Sequence, residues 1–466
     1  VSRPDPDECP RGPAYTAGFW ILTAICTALG LYVGLWAGLD LIPDEAYYWV
    51  WARNLDWCYF SKGPGIAVLI RLGTLVAGDT LLGVRLPAMG CALVTAVALF
   101  YWLRRAAGPR VAFWTLLALS AAPIMTAGRT LTTIDGPLFM FWTLALIVFW
   151  RLTRPGAHAG HWLLLGLLIG LGTLVKWSMA FFVPSVALGF ILLPDFRRRL
   201  RRPGPYLALA ACLLCLVPVL VWNARHGWIT VGHNIEKADV GKDGWGLVGT
   251  FLSSIALQAA ILTPVLFGLV AWAVGAVTCR AVREREPLSV VLACAWLPVF
   301  VFYAVLSFRT RIAPNWPAVG YASAFVAVGL TFAAPGASRL RRRLLIAAVA
   351  LAVALQVPFF AGDLFYRAGL GFIRKADQTN RARGWAATGD RVVALARELA
   401  ARDPGRPVVI LGPNYQWTSE MRFYARSEFP VLRVPTDRID DQYGLWGFGQ
   451  PPLGSDAILV HKVPDR

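Results

Sequence analysis

Runs of roughly 20 apolar residues recur through the first three quarters of this chain, each long enough to cross a hydrocarbon layer of ~30 Å as a helix. Backbone in lipid must satisfy its own hydrogen bonds, so such runs fold as helices. They fall at about 15–39, 81–103, 111–127, 134–151, 160–175, 177–194, 204–222, 247–278, 288–307, 314–334 and 344–361, with Pro264 marking a kink in the longest. Composition agrees, since 57% of the 466 residues are apolar and 15% charged, against about 25% charged in a soluble domain. A disordered chain, a fibre and a small disulfide scaffold are excluded. The lipid bilayer is the first partner.

Forty-five Lys and Arg outweigh 27 Asp and Glu, a net charge of +18. A nucleic-acid partner would gather those cations on one soluble face. Instead they fall in the short loops RRAAGPR, RLTRPGAH, DFRRRLRRPG, CRAVREREP and PGASRLRRRL, which share one side of a chain with about 11 spans. Cytoplasmic loops carry that bias. The expectation is therefore a cytoplasmic N-terminus, no nucleic acid, and an outer side formed by loop 40–80, GRTLTTID, 223–246, SFRTRIAPN and everything after about 362. Residues 363–466 turn polar: RVVALARELAARD reads as an amphipathic helix, and PVVILG, PVLRVP and DAILVHKV as strands. The expected fold is mainly α, a polytopic transmembrane unit over 1–362 with a small outer α/β domain over 363–466. Cys212 and Cys215 read as small packing residues, and no His, Cys, Asp or Glu cluster has metal-ligand spacing, so no metal is expected. Nothing in these patterns encodes an oligomeric state.

The first outer loop carries most of the chemistry. Asp44 and Glu45 follow the first span, and DEAYYWVWARNL reads as a helix lying in the interface, with Tyr48, Trp49, Trp51 and Leu55 at helical spacing. Trp and Tyr favour that depth, so one reading is an aromatic anchor with a solvated Asp-Glu cap. The other starts from Lys62, held in YFSKGPG between an aromatic pair and a Gly-Pro-Gly turn. A cation there suits a lipid phosphate, and a neighbouring carboxylate suits taking a proton. In GRTLTTIDGPLFMFW, Asp135 heads a helix, where it either caps or acts; Arg129 holds either a phosphate or this carboxylate.

In combination these segments resemble the GT-C glycosyltransferases of the protein-mannosyltransferase and aminoarabinose-transferase superfamily. DEAYYW with YFSKGP is similar to that family's first-loop Asp-Glu pair followed by Tyr-x-x-Lys-x-Pro, and IDGPLFMFW to its Asp-x-Pro-Leu element. GLGTLVKWSMAFFVPS, VPVLVWNARHGW and RTRIAPNWPAVGYA extend the resemblance across most of 40–325, and NYQWTSEMRFYAR and QYGLWGFG resemble C-terminal elements of bacterial members. The resemblance implies inverting transfer of one sugar from a polyprenyl-phosphate donor to a membrane-associated lipid or glycan acceptor such as lipopolysaccharide. It places that reaction at the periplasmic face of a bacterial inner membrane, with no cofactor required beyond the lipid-linked donor. Asp44 takes the catalytic position, with Glu45 and Asp135 as further acidic candidates; Lys62 takes the phosphate-binding position and Tyr59 its accompanying aromatic. Two departures stand out. Tyr47 occupies the place of an arginine in aminoarabinose transferases, and Gly63-Pro64 replaces a double proline. The sugar and acceptor of that branch are therefore not implied.

Arg225, Arg309 and Arg311 are further candidates for the departing phosphate. Lys176 binds phosphate or merely snorkels. His226 and His233 line the site or are solvated loop residues, and Asn315 and Trp316 contact the acceptor or serve as an interfacial anchor. Glu420, Arg422 and Tyr424 cover the cavity or form a domain surface. A transporter or lipid flippase is the rival reading, but it places ionisable groups at the bilayer midplane, whereas here they gather at outer helix ends. A protein O-glycosyltransferase or glycan ligase is the rival enzyme.

Overall fold

The computed structural model describes residues 12–36, 38–239, 246–357, 381–425, 428–447 and 451–461. The expected domain boundary at 362/363 and the end of the span 344–361 lie outside them. Helices come first: α1 (Gly12–Leu35), α2 (Pro43–Arg53), α3 (Gly65–Ala77), α4 (Leu81–Ala106), α5 (Pro109–Ala121), α6 (Pro123–Thr130), α7 (Asp135–Leu152), α8 (Ala159–Val175) and α9 (Phe182–Leu192). After them come α10 (Pro194–Arg197), α11 (Gly204–Arg225), α12 (Ile229–Asp239), α13 (Gly246–Leu262), α14 (Pro264–Arg283), α15 (Pro287–Leu306), α16 (Tyr321–Val328) and α17 (Arg339–Ala354).

Among the described residues, six helices (α1, α4, α7, α11, α14 and α15) are long and apolar enough to cross a membrane, or eight spans if each of two bent pairs counts as one. The run 111–127 is one such pair, α5 and α6, bent by 79° at Ala122 where Pro123 opens the second helix. The run 247–278 is two helices, α13 and α14. Thr263 between them has φ 76°, and Pro264 opens α14; the expected kink at that proline is a break between two helices. Other expected spans are shorter pieces: α8, α9 after a 3-10 turn at Trp177–Phe181, and the apolar stretch Pro317–Ala333.

Close backbone approach sets the crossing of α8 and α11. Gly166 and Gly170 on α8 face α11, where a Cβ on Gly166 would stand 2.1 Å from the Ala208 carbonyl oxygen and one on Gly170 2.7 Å from Cys215 Cβ. Small residues four apart allow this contact in lipid, where helices gain little from burying apolar surface. Cys212 and Cys215 pack against α8 as free thiols. The main core runs through α4, α5, α7, α15 and α16, with Trp142, Phe149, Trp296 and Phe325 fully buried.

The chain's last part folds as α18 (Trp385–Arg402), β1 (Val408–Gly412), α19 (Tyr415–Tyr424), β2 (Val431–Arg433), α20 (Gln442–Trp446) and β3 (Asp456–Leu459). The strands match PVVILG, PVLRVP and DAILVHKV. They form a parallel sheet in the order β2-β1-β3, with Ile410 opposite Val431 and Ile458. Parallel strands need crossover connections, and α19 is the one between β1 and β2. Its other side packs on α2, so α2 is covered: Tyr47, Tyr48, Val50 and Trp51 are buried among α3, α19 and α20. The helix over DEAYYWVWAR forms as expected, but it lies beneath the C-terminal elements instead of lying open in the interface.

Replacing Gly166 with Val should force α8 and α11 apart, at a cost of about 1–3 kcal/mol. Thermal unfolding in detergent should show a lower midpoint, while Gly275→Ala, with nothing near its Cβ, should leave it unchanged.

Candidate active site

The site is built on an ion pair that membrane helices normally avoid. Arg85, one turn into α4, and Glu45, in the first turn of α2, are both fully buried. Arg85 spends all five N–H groups: Nε and Nη2 donate to Glu45 at 3.3 and 3.2 Å, Nη1 to the carbonyls of Val33 and Leu39, and Nη2 also to that of Asp40. Glu45 further accepts the Ile42 N–H at 3.1 Å and the Thr132 N–H at 2.8 Å. The pair thus ties the end of α1, the start of α2, α4 and the turn before α7 into one knot. Glu45, expected as a catalytic or solvated acid, is instead fully committed and reaches no solvent.

Asp44, its neighbour, is exposed at the N-terminus of α2. Two phenols face it, Tyr48 buried and Tyr415 half-buried. Tyr48 is held well above the usual tyrosine range, first by burial and then by the charges of Asp44 and Asp135, and Tyr415 of α19 is pushed up to about 12 by burial and then by Asp44. Asp44 and Asp135, 91 residues apart in sequence, therefore lie around the same tyrosine.

Asp135 does not cap its helix. Its Oδ1 accepts from Lys176 Nζ at 2.6 Å and its Oδ2 from Asn315 Nδ2 at 2.8 Å, while Lys176 Nζ also reaches the Asn315 carbonyl at 3.4 Å. Three turns, before α7, after α8 and before the Pro317 stretch, are joined through this partly exposed cluster. Lys176 is paired, not snorkelling, and Arg129 does not hold Asp135.

Lys62 is half-buried in a loop whose backbone is pinned from several sides. The Lys62 carbonyl accepts from Tyr59 N–H and from the Cys58 thiol; Thr230 donates to the Tyr59 carbonyl at 2.8 Å and Asn234 to that of Ser61 at 3.1 Å. Gly63 lies so close to the turn that ends at Lys176 that a Cβ would stand 2.4 Å from the Leu174 carbonyl oxygen. Glycine in place of a first proline is what lets the Lys62 loop sit there. Tyr59, expected to accompany the phosphate, is fully buried, stacked on Trp51 with centroids 4.3 Å apart, and its hydroxyl donates to the Trp51 and Asn54 carbonyls. It shapes the loop from below.

Tyr47, a cavity candidate, is likewise buried. Its ring lies 4.5 Å from that of Tyr415 and its hydroxyl accepts the Gln442 N–H at 2.7 Å. Gln442 Oε1 accepts the Phe60 N–H, and Tyr424 takes that of Leu41, so α19 and α20 clasp the first loop at both ends. Arg225, Arg309 and Arg311 are exposed. His226 stacks on Trp222, whose indole donates to Asp56 at 2.8 Å, and Trp316 lies beside Tyr303. None of these five is brought into the Asp135 cluster.

Asp135 also lines a cleft between α1, α4, α5, α6 and α7, walled by apolar residues including Phe19, Met89, Leu116 and Met125, with Arg129 and Asp135 as its charged members. Arg129 donates to the Ser120 carbonyl and to Thr126, and no carboxylate among the described residues pairs with it. Among the described residues, no three His, Cys, Asp or Glu side chains gather as metal ligands. The residues that sequence reasoning missed are those that hold others in place: Arg85, Cys58, Thr230, Gln442. Only Arg85 carried a signal, a lone cation inside an apolar run.

Residues 61–222 match the family model for dolichyl-phosphate-mannose-protein mannosyltransferase. The chain is 30% identical over 295 residues to the lipid A galacturonosyltransferase RgtD of Rhizobium johnstonii, covering 63% of this chain and 61% of that protein. It is 32% identical over 211 residues to the undecaprenyl phosphate-alpha-4-amino-4-deoxy-L-arabinose arabinosyl transferase of Pseudomonas aeruginosa, covering 41% and 37%. The crystal structure of ArnT from Cupriavidus metallidurans bound to undecaprenyl phosphate superposes with a TM-score of 0.62 at 17% identity, over 94% of this chain and 89% of that one. Over the matched residues the chain is similar to integral-membrane glycosyltransferases of the GT-C superfamily. It shares the fold of ArnT over membrane helices and C-terminal elements together. The match spans less than two thirds of the length of each of these sequence relatives.

Removing Arg85 leaves Glu45 as an unpaired buried charge, a loss of about 3–5 kcal/mol. Arg85→Ala should therefore fail to accumulate in membranes or unfold at a much lower temperature. Arg129→Ala, with no carboxylate left behind, should not.

Proposed function

We propose that this protein is an inverting glycosyltransferase of the bacterial inner membrane, moving a single sugar from a polyprenyl-phosphate donor to a lipid or glycan acceptor at the periplasmic face. The observation that carries the reading is the placement of an exposed Asp44 on a rigidly anchored helix, around the same tyrosine as the Asp135–Lys176–Asn315 cluster. Basic loops on the opposite side support the outward orientation, and the relatives' names support an undecaprenyl-phosphate donor and a lipid A type of acceptor.

The acceptor hydroxyl oxygen attacks the anomeric carbon while the bond from that carbon to the phosphate oxygen breaks, its electron pair leaving with the prenyl phosphate. Asp44 takes the hydroxyl proton, a general-base contribution of roughly 10²–10⁴-fold. Lys62 neutralises charge growing on the departing phosphate, electrostatic help that a preorganised cation supplies without rearranging. Phosphate leaves as an anion and needs no proton, so one carboxylate suffices where a glycosidase uses two. Asp135, held by Lys176 and Asn315, positions the sugar or acceptor hydroxyls, and Glu45 is a positioning residue that works through α2.

An apolar groove beside the Lys62 loop, between α3, α8 and α11 and lined by Trp57, Leu69, Leu171 and Val219, suits the donor's prenyl chain. That chain is already in hydrocarbon before it binds, so headgroup contacts supply the selectivity.

In nanodiscs loaded with polyprenyl-phosphate sugars, mass spectrometry should show sugar lost from one donor with wild type. Asp44→Asn should cut transfer at least a hundredfold while the protein remains folded. Wild-type turnover by that variant would remove Asp44 as the base. Lys62→Ala should weaken binding of undecaprenyl phosphate at least tenfold; unchanged binding would take the phosphate role from Lys62.

A further inference from the structure

Glu420, in the middle of α19, is fully buried, and neither of its carboxyl oxygens has a hydrogen-bond partner among the described residues. An unpaired buried carboxylate is among the most costly groups a fold can contain. Its surroundings sharpen the problem. Glu45 of α2, Asp40 ahead of α2 and Arg85 of α4 face it, with Tyr424 on its own helix and Tyr443 on α20. Arg85 has no donor left to give, since its five N–H groups are all taken. Asp40 accepts from the Trp385 and Ala386 N–H groups at the start of α18. An ionised Glu420 would be a third carboxylate around one saturated guanidinium. Burial first, then the Glu45 and Asp40 charges, hold this acid well above the usual carboxylate range.

α19 is also the helix that covers the first loop. It packs along α2, places Tyr415 against Tyr47, and receives the Leu41 N–H at Tyr424. We propose that Glu420 is a positioning residue acting as a proton-linked latch: α19 seats on the Arg85–Glu45 pair only with the Glu420 carboxyl protonated, and ionisation releases it from the helix that carries Asp44. The latch rests on the catalytic reading only for its effect on turnover; the docking itself stands on the buried cluster.

The sign follows from linkage. Below the ordinary carboxylate range the group is neutral whether α19 is seated or released, and docking is unaffected. As pH rises above that range, the released form ionises while the seated form keeps its proton. Docking then takes up one proton and weakens up to tenfold per pH unit, until the seated acid ionises too.

Hydrogen–deuterium exchange on the full chain in nanodiscs tests this between pH 5 and 9, with exchange times scaled for the intrinsic base dependence. Opening of peptides spanning 415–424 and 43–53 should rise up to tenfold per pH unit in wild type, while α8 and α11 stay constant. Glu420→Gln, whose amide can donate to the flanking carboxylates, and Glu420→Met should hold both peptides closed across the range. A flat wild-type profile overturns the latch. So does a slope that survives either substitution, which would assign the proton elsewhere, for example to Asp441. Transfer measured alongside should lose its alkaline decline in Glu420→Gln. If Asp44→Asn transfers normally while the exchange slope depends on Glu420, the catalytic reading fails and the latch stands.

Discussion

One buried ion pair organises the corner of the molecule that carries the site. Taking Arg85 and Glu45 out of water costs several kcal/mol for each charge, and attraction alone rarely recovers it. Here the deficit is offset by completeness: five donors on one side and four accepted bonds on the other leave no lone hydrogen-bonding group in the pair. Because the partners come from the end of α1, from α2, from α4 and from the turn before α7, the pair converts four independent helix ends into one rigid corner. Asp44 is the residue next to that corner, and Asp135 lies three residues beyond Thr132, whose N–H the corner holds.

The Lys62 loop is supported in a similar manner, by polar groups acting on backbone. Cys58, Thr230 and Asn234 pin the Lys62 loop through carbonyls, and Gly63 lets it lie against the turn at Lys176. Tyr59 and Tyr47 fill the space beneath. The C-terminal helices complete the enclosure, with Gln442 bridging Tyr47 to the Phe60 backbone. A site assembled from loop backbones and helix ends suits a membrane enzyme, because the helices themselves, immersed in lipid, can carry charge only near their ends.

Much of this was legible beforehand, residue by residue. Asp44, Lys62, Asp135, Lys176 and Asn315 each stood out as a polar group at an outer helix end, and a bilayer penalises such residues unless they have a use. Their mutual arrangement was not legible. Asp135 could equally have capped α7, and only the approach of Lys176 and Asn315, 41 and 180 residues away, decides otherwise. Tyr59 and Tyr47 were assigned outward-facing roles because an aromatic at the interface has the same composition whether it meets solvent or is covered. α19 and α20 cover them, and nothing local to residues 43–60 announces that. For the same reason the sequence leaves Glu420 open between covering the cavity and lying on a domain surface, and only the packing of α19 on α2 buries it.

The sequence by itself determined the solvent. Apolar run length settles that the chain is a bundle of membrane helices with its unusual carboxylates and lysines at helix ends, since hydrocarbon tolerates only internally bonded backbone and uncharged side chains. Where those helices break was decided by tertiary packing, as at Thr263, because a proline marks a place where a helix can bend and not how far. Which carboxylate is exposed and which is spent was also decided there. Asp44 and Glu45 are adjacent and chemically alike, but successive positions on a helix point about 100° apart, so one meets Arg85 in the interior and the other faces the opening.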